Sequence, residues 1–193
     1  ISRILPWLRS SFVWSHQNTN ILPSLSENQI IQINKPVHGI LRRIAMLEKI
    51  KVPEDGTHMD IFLNENDKAE ALLFLKNNKM APKEFIYMNI GGSSFQKQWP
   101  VDKFVSLSKL ILKNTSMSIM LGGGPEATDR VSLIEKEIGL KRVTRATHLS
   151  LKKSCSLISH ARILISPDSG PMHIGFALKV PTIALFWSSD STG

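Results

Sequence analysis

The stretch Ile163-Leu164-Ile165-Ser166-Pro167-Asp168-Ser169-Gly170-Pro171-Met172-His173 decides the fold. Its apolar run predicts a buried strand, and the Ser-Gly-Pro turn predicts direct passage into a helix. Pro171 suits the first helical position, and Gly170 supplies a backbone shape closed to other residues. A helix start of this kind presents unpaired backbone N–H groups and a partial positive charge, a place to hold phosphate.

The same alternation repeats on both sides of this turn. Upstream, Phe85 to Asn89 reads as a strand and Asp102 to Lys113 as a helix with Phe104, Val105, Ser108 and Ile111 inward. Ser118 to Leu121 is the next strand, and Glu126 to Ile138 a helix stopped by Gly139. Lys141 to Thr144 reads as a short strand, and Ser150 caps a helix that runs to His160. Arg162 to Ser166, Pro171 to Leu178 and Thr182 to Phe186 complete the series as strand, helix and strand. Strands alternating with helices predict an α/β fold, a Rossmann-like parallel sheet with helices on both faces.

The first part of the chain is less regular. Residues 1 to about 36 show little periodicity, whereas Val37 to Ile50 reads as an amphipathic helix. A second helix is expected over Asp67 to Asn77, capped by Asn66 or Asp67, with Ala71, Leu72 and Leu75 on one face. Lys76 to Pro82 reads as a linker, which divides the chain into residues 1–80 and a Rossmann-like domain over 81–193. The chain begins with Ile1 rather than Met and stops just after an apolar strand and its loop, so a piece of a longer protein is expected.

In such sheets, ligands sit beyond the carboxyl ends of the strands. Three loops converge there: Gly91-Gly92-Ser93-Ser94, Gly122-Gly123-Gly124-Pro125 and Pro167 to Pro171. The spacing Gly122-x-Gly124-x-x-Ala127 fits a dinucleotide fingerprint, but the acidic residue it requires is replaced by Lys141-Arg142-Val143. Asp168, Ser169 and His173 have the residue types of a hydrolytic triad, yet they lie too close together, and no G-x-S-x-G elbow is present. Around Lys97, the loop combines hydroxyls, backbone donors and one ammonium, a set suited to a diphosphate; an ordinary solvated lysine is the plain alternative. Trp99-Pro100 reads as structural. Asp168 would repel a phosphate, which favours a role in organising its loop or meeting sugar hydroxyls. His173 is read either as a helix-face histidine bonded to backbone or as a ligand contact.

Composition sets further bounds. The 193 residues are 42% hydrophobic and carry a net charge of +8, with a pI near 9.7, so anionic partners are favoured. Cys155 is the only cysteine, which rules out an intrachain disulfide and fits a reducing compartment. No apolar run approaches the roughly 18–20 residues of a membrane span, and the first residues lack a signal-peptide pattern. The six histidines are scattered without metal-ligand spacing, and basic residues are not interleaved with aromatics as nucleic-acid binding needs.

The run Asp168 to His173, followed by Ala177-Leu178, Val180-Pro181-Thr182 and Ala184-Leu185-Phe186, resembles the signature of glycosyltransferase family 9, the lipopolysaccharide heptosyltransferases. Gly91-Gly92-Ser93 with Lys97-Gln98-Trp99-Pro100 is similar to that family's first donor-domain loop, and Leu121-Gly122-Gly123 with Pro125-Glu126 to its second. The helix residues Ser150-Leu151, Leu157-Ile158 and Ala161-Arg162 also fit, so the resemblance covers about Phe85 to Gly193.

The resemblance implies an inverting, two-domain GT-B enzyme. Residues 1–80 would be a remnant of its N-terminal acceptor domain with interdomain helices, and 81–193 its nucleotide-sugar-binding domain, cut short at the C-terminus. Its donor would be an ADP-heptose, with no tightly bound cofactor or metal. The acceptor would be a Kdo-bearing lipid A core oligosaccharide, reached by a cytoplasmic protein at the periphery of an anionic inner membrane, with no nucleic-acid partner. Carried over by position, Ser93 and Lys97 meet the diphosphate or sugar, and the backbone of Ser169 and Gly170 holds the leaving diphosphate. Asp168 faces the sugar, His173 supports the loop and Leu149 offers main-chain contacts to adenine. The general base belongs to the acceptor half, so this segment alone is expected to be inactive. Trp187-Ser188-Ser189-Asp190 departs from the family's Gly-Pro-Thr-Asp and leaves the exact sugar open. The rival reading is a non-catalytic nucleotide- or phosphate-binding module, or a degenerate family member.

Overall fold

The computed structural model describes residues 51–92 and 97–186, with Ser15–His16, Ile30–Ile31, Ile40, Leu41 and Ile44. The chain divides into two compact units, Ile1–His58 and Met59–Thr192. In the first, β1 (Ser15–His16) pairs in parallel with β2 (Ile30–Ile31). Ile40, Leu41 and Ile44 are helical, while most of the helix expected over Val37 to Ile50 lies outside the described residues.

The second unit begins with helix α1 (Glu65–Asn77). Asn64, rather than Asn66 or Asp67, caps it: its Oδ1 accepts from the Asp67 N–H at 2.8 Å, and the Asp67 carboxylate accepts from the Asn64 N–H at 3.3 Å. This reciprocal box closes two otherwise unpaired donors, so the helix starts before the expected point. The expected linker is not one. Lys76 and Asn77 are helical, and Met80 is buried with Ala71 and Leu75 in the core. The division expected after residue 80 therefore falls inside a compact unit, because α1 packs its Ala71–Leu75 face against the sheet domain. Leu72, expected inward, is exposed.

Strands β3 (Phe85–Asn89), β4 (Ser118–Gly123), β5 (Val143–Thr147), β6 (Ile163–Pro167) and β7 (Thr182–Leu185) form a sheet of order β5-β4-β3-β6-β7. Every pairing in it is parallel. Helices α2 (Val101–Asn114), α3 (Thr128–Ile138), α4 (Leu151–His160) and α5 (Gly170–Ala177) connect the strands. Alternation along central β3 feeds two cores. Phe85 and Tyr87 join Ala71, Leu75 and the α4 residues Leu157 and Ile158, while Ile86 and Met88 join Phe104, Val105, Val131 and Ile134 of α2 and α3. Burial of both faces explains the unbroken apolar run of β3.

Two strand limits differ from expectation for local reasons. Strand β5 cannot begin at Lys141, because Arg142 turns with φ 61°. The Arg142 guanidinium reaches back to the carbonyls of Thr115 at 2.7 Å, Met117 at 3.0 Å and Leu112. Strand β4 continues through Gly122 and Gly123, which pair with Ala146 and Thr147.

Replacing Leu75 with Ala is expected to lower unfolding stability by about 2–5 kcal/mol, the cost of an unfilled core site. Urea denaturation followed by circular dichroism measures it, and a near-zero change would return α1 to the status of a tether.

Candidate functional site

From β3 the chain crosses by α2 to β4, and from β6 by α5 to β7, so consecutive strands leave β3 and β6 in opposite directions across the sheet. The loops part between these two strands, which makes their carboxyl edge the switch point of the fold. A cavity of about 490 Å³ opens there. Gly91 and Gly92 after β3, Gly123 and Gly124 at the end of β4, and Ser169, Gly170 and Pro171 after β6 line it. The three loops expected to meet do meet.

One buried side chain stitches the two central loops together. Asn89, at the end of β3 and only 2% exposed, directs its Nδ2 at the Gly91 carbonyl (3.1 Å), Ser166 Oγ (3.2 Å) and Ser169 Oγ (3.0 Å). Ser169 occupies the N-cap of α5 but does not cap it with its side chain. Its hydroxyl donates instead to the Pro167 carbonyl at 3.2 Å. The Gly170 N–H thus receives no side-chain cap and lies at the cavity edge, while Pro171 has no N–H and that of Met172 donates to the Ser169 carbonyl at 3.0 Å.

Gly170 is the first residue of α5 and Pro171 the second, one position later than expected. The backbone shape expected of Gly170 is not used either, since it is not among the positive-φ glycines. A Cβ built on Gly170 would meet nothing within 4 Å. Neither backbone nor packing demands glycine here; the side chain it lacks is space at the cavity wall.

Lys97 and Asp168 face each other across the same edge. Lys97 Nζ lies 2.6 Å from Asp168 Oδ2, and both side chains are partly exposed. The ion pair ties the β3–α2 loop to the β6–α5 turn. Ser93 lies outside the described residues. The far end of its loop is held by Gln98 Nε2 donating to the Gly92 carbonyl at 3.2 Å and by the Arg130 guanidinium donating to the Trp99 carbonyl. Trp99 sets its ring edge-on to Phe104 with centroids 4.8 Å apart, as its structural reading implied. Burial lowers the Arg130 pKa from its ordinary value.

On the α4 side the lining is apolar: Leu149, Leu151, Ile158 and Ile174, with Tyr87 and Ser154 as the polar members. Leu149, expected to offer main-chain contacts to a base, is among the residues that line the cavity. His173 does not line the cavity; it is exposed on α5, its ring 6.5 Å from that of Phe176. Sequence reasoning missed Asn89, Tyr87 and Glu126. The Glu126 carboxylate accepts from the Gly124 N–H at 3.3 Å and would lie 2.6 Å from a Cβ on Gly91. Its position after a Gly-Gly-Gly-Pro turn was the available signal. Asn89 and Tyr87 were hidden inside an otherwise apolar strand. Among the described residues, no cluster of three or more His, Cys, Asp or Glu has a metal-holding arrangement.

Residues 4–192 match the model of glycosyltransferase family 9 (heptosyltransferase). The chain is 30% identical over 188 residues to lipopolysaccharide heptosyltransferase 1 of Campylobacter coli, covering 95% of this chain and 53% of that protein. Lipooligosaccharide heptosyltransferase 2 of Campylobacter jejuni is 26% identical over 163 residues, covering 82% and 50%. The chain therefore spans about half the length of the curated relatives it matches. Among solved structures, a family 9 glycosyl transferase from Veillonella parvula superposes with a TM-score of 0.79 at 21% identity, covering 95% of this chain and 53% of that one. An E. coli heptosyltransferase solved with ADP gives 0.63 at 24%, covering 84% and 48%. These likenesses establish the fold as the Rossmann-like sheet of GT-B heptosyltransferase structures.

Burial raises the pKa of the cavity-floor residue Tyr87 from 10.0 to about 12, with a Ser154 hydrogen bond opposing the rise. Because Tyr87 is the only tyrosine, the pH-dependent rise in absorbance at about 295 nm that marks tyrosinate follows it alone, the tryptophans not ionising. Tyrosinate is expected to appear about pH 12 in the native protein and near the ordinary value in urea. The sign follows: the protonated phenol favours the fold below pH 10, and stability falls as pH rises from there towards 12.

Proposed function

The chain belongs to glycosyltransferase family 9, the heptosyltransferases, and we propose that it forms the donor-binding half of an inverting lipopolysaccharide heptosyltransferase. In this reading the donor is an ADP-heptose and the acceptor the inner core oligosaccharide on lipid A. The observation that carries it is the cavity at the β3–β6 switch point, rimmed by glycine loops and joined by the Lys97–Asp168 pair.

The chemistry of each group supports a part. Lys97, with the backbone N–H groups at Ser169 and Gly170, suits the diphosphate, while Ser93 belongs to the same loop. Asp168 and Glu126 only accept hydrogen bonds, so they suit sugar hydroxyls rather than phosphate. Leu149 and its apolar neighbours suit the adenine ring. His173, set edge-on to Phe176 one turn along the same helix, supports the loop that leads into α5. In the transfer, an acceptor hydroxyl oxygen bonds to the anomeric carbon while the bond from that carbon to the diphosphate oxygen breaks. The electron pair leaves with ADP, whose growing charge Lys97 and the α5 N-terminus would stabilise. The hydroxyl proton passes to a general base that we place in the acceptor half of the complete protein. Described residues include no helix long and apolar enough to cross a membrane. The net charge of +8 suits a cytoplasmic protein working at the periphery of an anionic membrane.

Calorimetric titration with ADP tests the donor site. Replacing Lys97 with Ala is expected to weaken ADP binding by about 1.5–3 kcal/mol, the worth of a charge-assisted contact. Unchanged affinity would remove Lys97 from the diphosphate. ADP binding without heptose transfer by the complete protein would leave a nucleotide-binding module.

A further inference from the structure

We infer that the hydroxyls of Tyr87 and Ser154 form the polar end of the apolar slot and read the edge of a purine base, which makes Tyr87 a specificity-determining residue. The inference rests on the donor-site reading and adds to it the group that selects the nucleotide.

Tyr87 stands in the middle of a fully buried strand, 2% exposed, where an apolar ring would serve the core equally well. Phe85, two residues earlier on the same face, does so at 0% exposure. The hydroxyl of Tyr87 therefore brings a desolvation cost without a packing return. It also constrains a neighbour. A Cβ on Gly122 would lie 2.1 Å from Tyr87 Oη and 2.3 Å from the ring carbon that bears it, so β4 must carry glycine beside it. The hydroxyl has a partner in Ser154 of α4, and both residues line the cavity.

Their surroundings define what they meet. Leu151, Ser154 and Ile158 follow one another at i, i+3 and i+7 on α4, and all three line the cavity with Ile174 of α5. One stripe of that helix thus presents apolar, hydroxyl and apolar groups in turn. The remaining polar side chains of the lining, Asn89, Glu126 and Ser169, belong to the loop edge where the phosphates are read. Apolar walls accept the faces of a flat heteroaromatic ring. The hydroxyl pair, able to donate and accept, recognises polar atoms on its edge. Ser154 lies on α4, and Tyr87 packs with Leu157 and Ile158 of the same helix, so a base seated between these apolar walls meets both hydroxyls.

The single tyrosine makes the test direct. Biosynthetic fluorotyrosine labels position 87 alone and gives one fluorine NMR resonance. With calorimetry run in parallel on the full chain, ADP is expected to shift that resonance and pyrophosphate to leave it in place. Tyr87→Phe, which keeps the ring, is expected to reduce the preference for ADP over UDP about three- to tenfold, the worth of one hydrogen bond. Pyrophosphate affinity is expected to stay unchanged, and Ser154→Ala to act in the same direction. ADP binding with an unmoved resonance and an unaltered ADP-to-UDP ratio in Tyr87→Phe would overturn this assignment alone. Failure of both ADP and pyrophosphate to bind would overturn the donor site and this assignment with it.

Discussion

Right-handed crossovers between parallel strands leave only one boundary at which neighbouring loops diverge, and here that boundary falls between β3 and β6. Everything polar that the site needs is delivered to it by strands whose own residues are apolar on both faces. The sheet interior offers no room for charge, so Lys97, Asp168 and Glu126 can stand only at the carboxyl edge. Asn89 brings an amide into β3 at its last position, and that amide joins the loops on either side of the boundary. The stiffness of the core thereby extends into a turn that would otherwise depend on backbone contacts alone.

The lining separates by chemistry as well as by position. The loop side offers backbone N–H groups, one ammonium and two carboxylates; the α4 side offers branched apolar side chains with two hydroxyls. A ligand with a flat aromatic group at one end and a diphosphate beyond it matches this order, as a nucleoside diphosphate does. The ion pair of Lys97 with Asp168 keeps opposite charges together at the junction, so each is already oriented without burial of a lone charge.

Much of this was legible in the residues. The alternation of strands and helices, the convergence of three loops and the Ser150 cap all followed from period, glycine and capping chemistry, and β3 ran over the expected Phe85 to Asn89. What escaped notice depended on contacts distant in sequence. Lys76 to Pro82 read as a linker because its polar residues dominate the pattern, whereas Met80, buried with Ala71 and Leu75 of the expected helix, is enough to seat it on the core. Gly170 read as a backbone requirement, yet its missing side chain matters only for the space beside it. Gly122 read as a turn, but it sits in a strand under a tyrosine ring supplied from a strand thirty-odd residues away in the chain. A lone tyrosine and a lone asparagine inside an apolar strand carry no period and so announce nothing by themselves.

The contact between Tyr87 and Gly122 also limits how this sequence can change. The ring occupies the place of any side chain on β4 at that point, so a larger residue at 122 is admissible only after the ring at 87 has shrunk. The reverse order passes through an overpacked intermediate, while loss of the ring with glycine retained passes through a cavity; both are costly. The two positions therefore form a ratchet. Related chains that carry an alanine or larger residue at the β4 position must carry something smaller than tyrosine at the β3 position. The floor of the cavity can be inherited only as a pair.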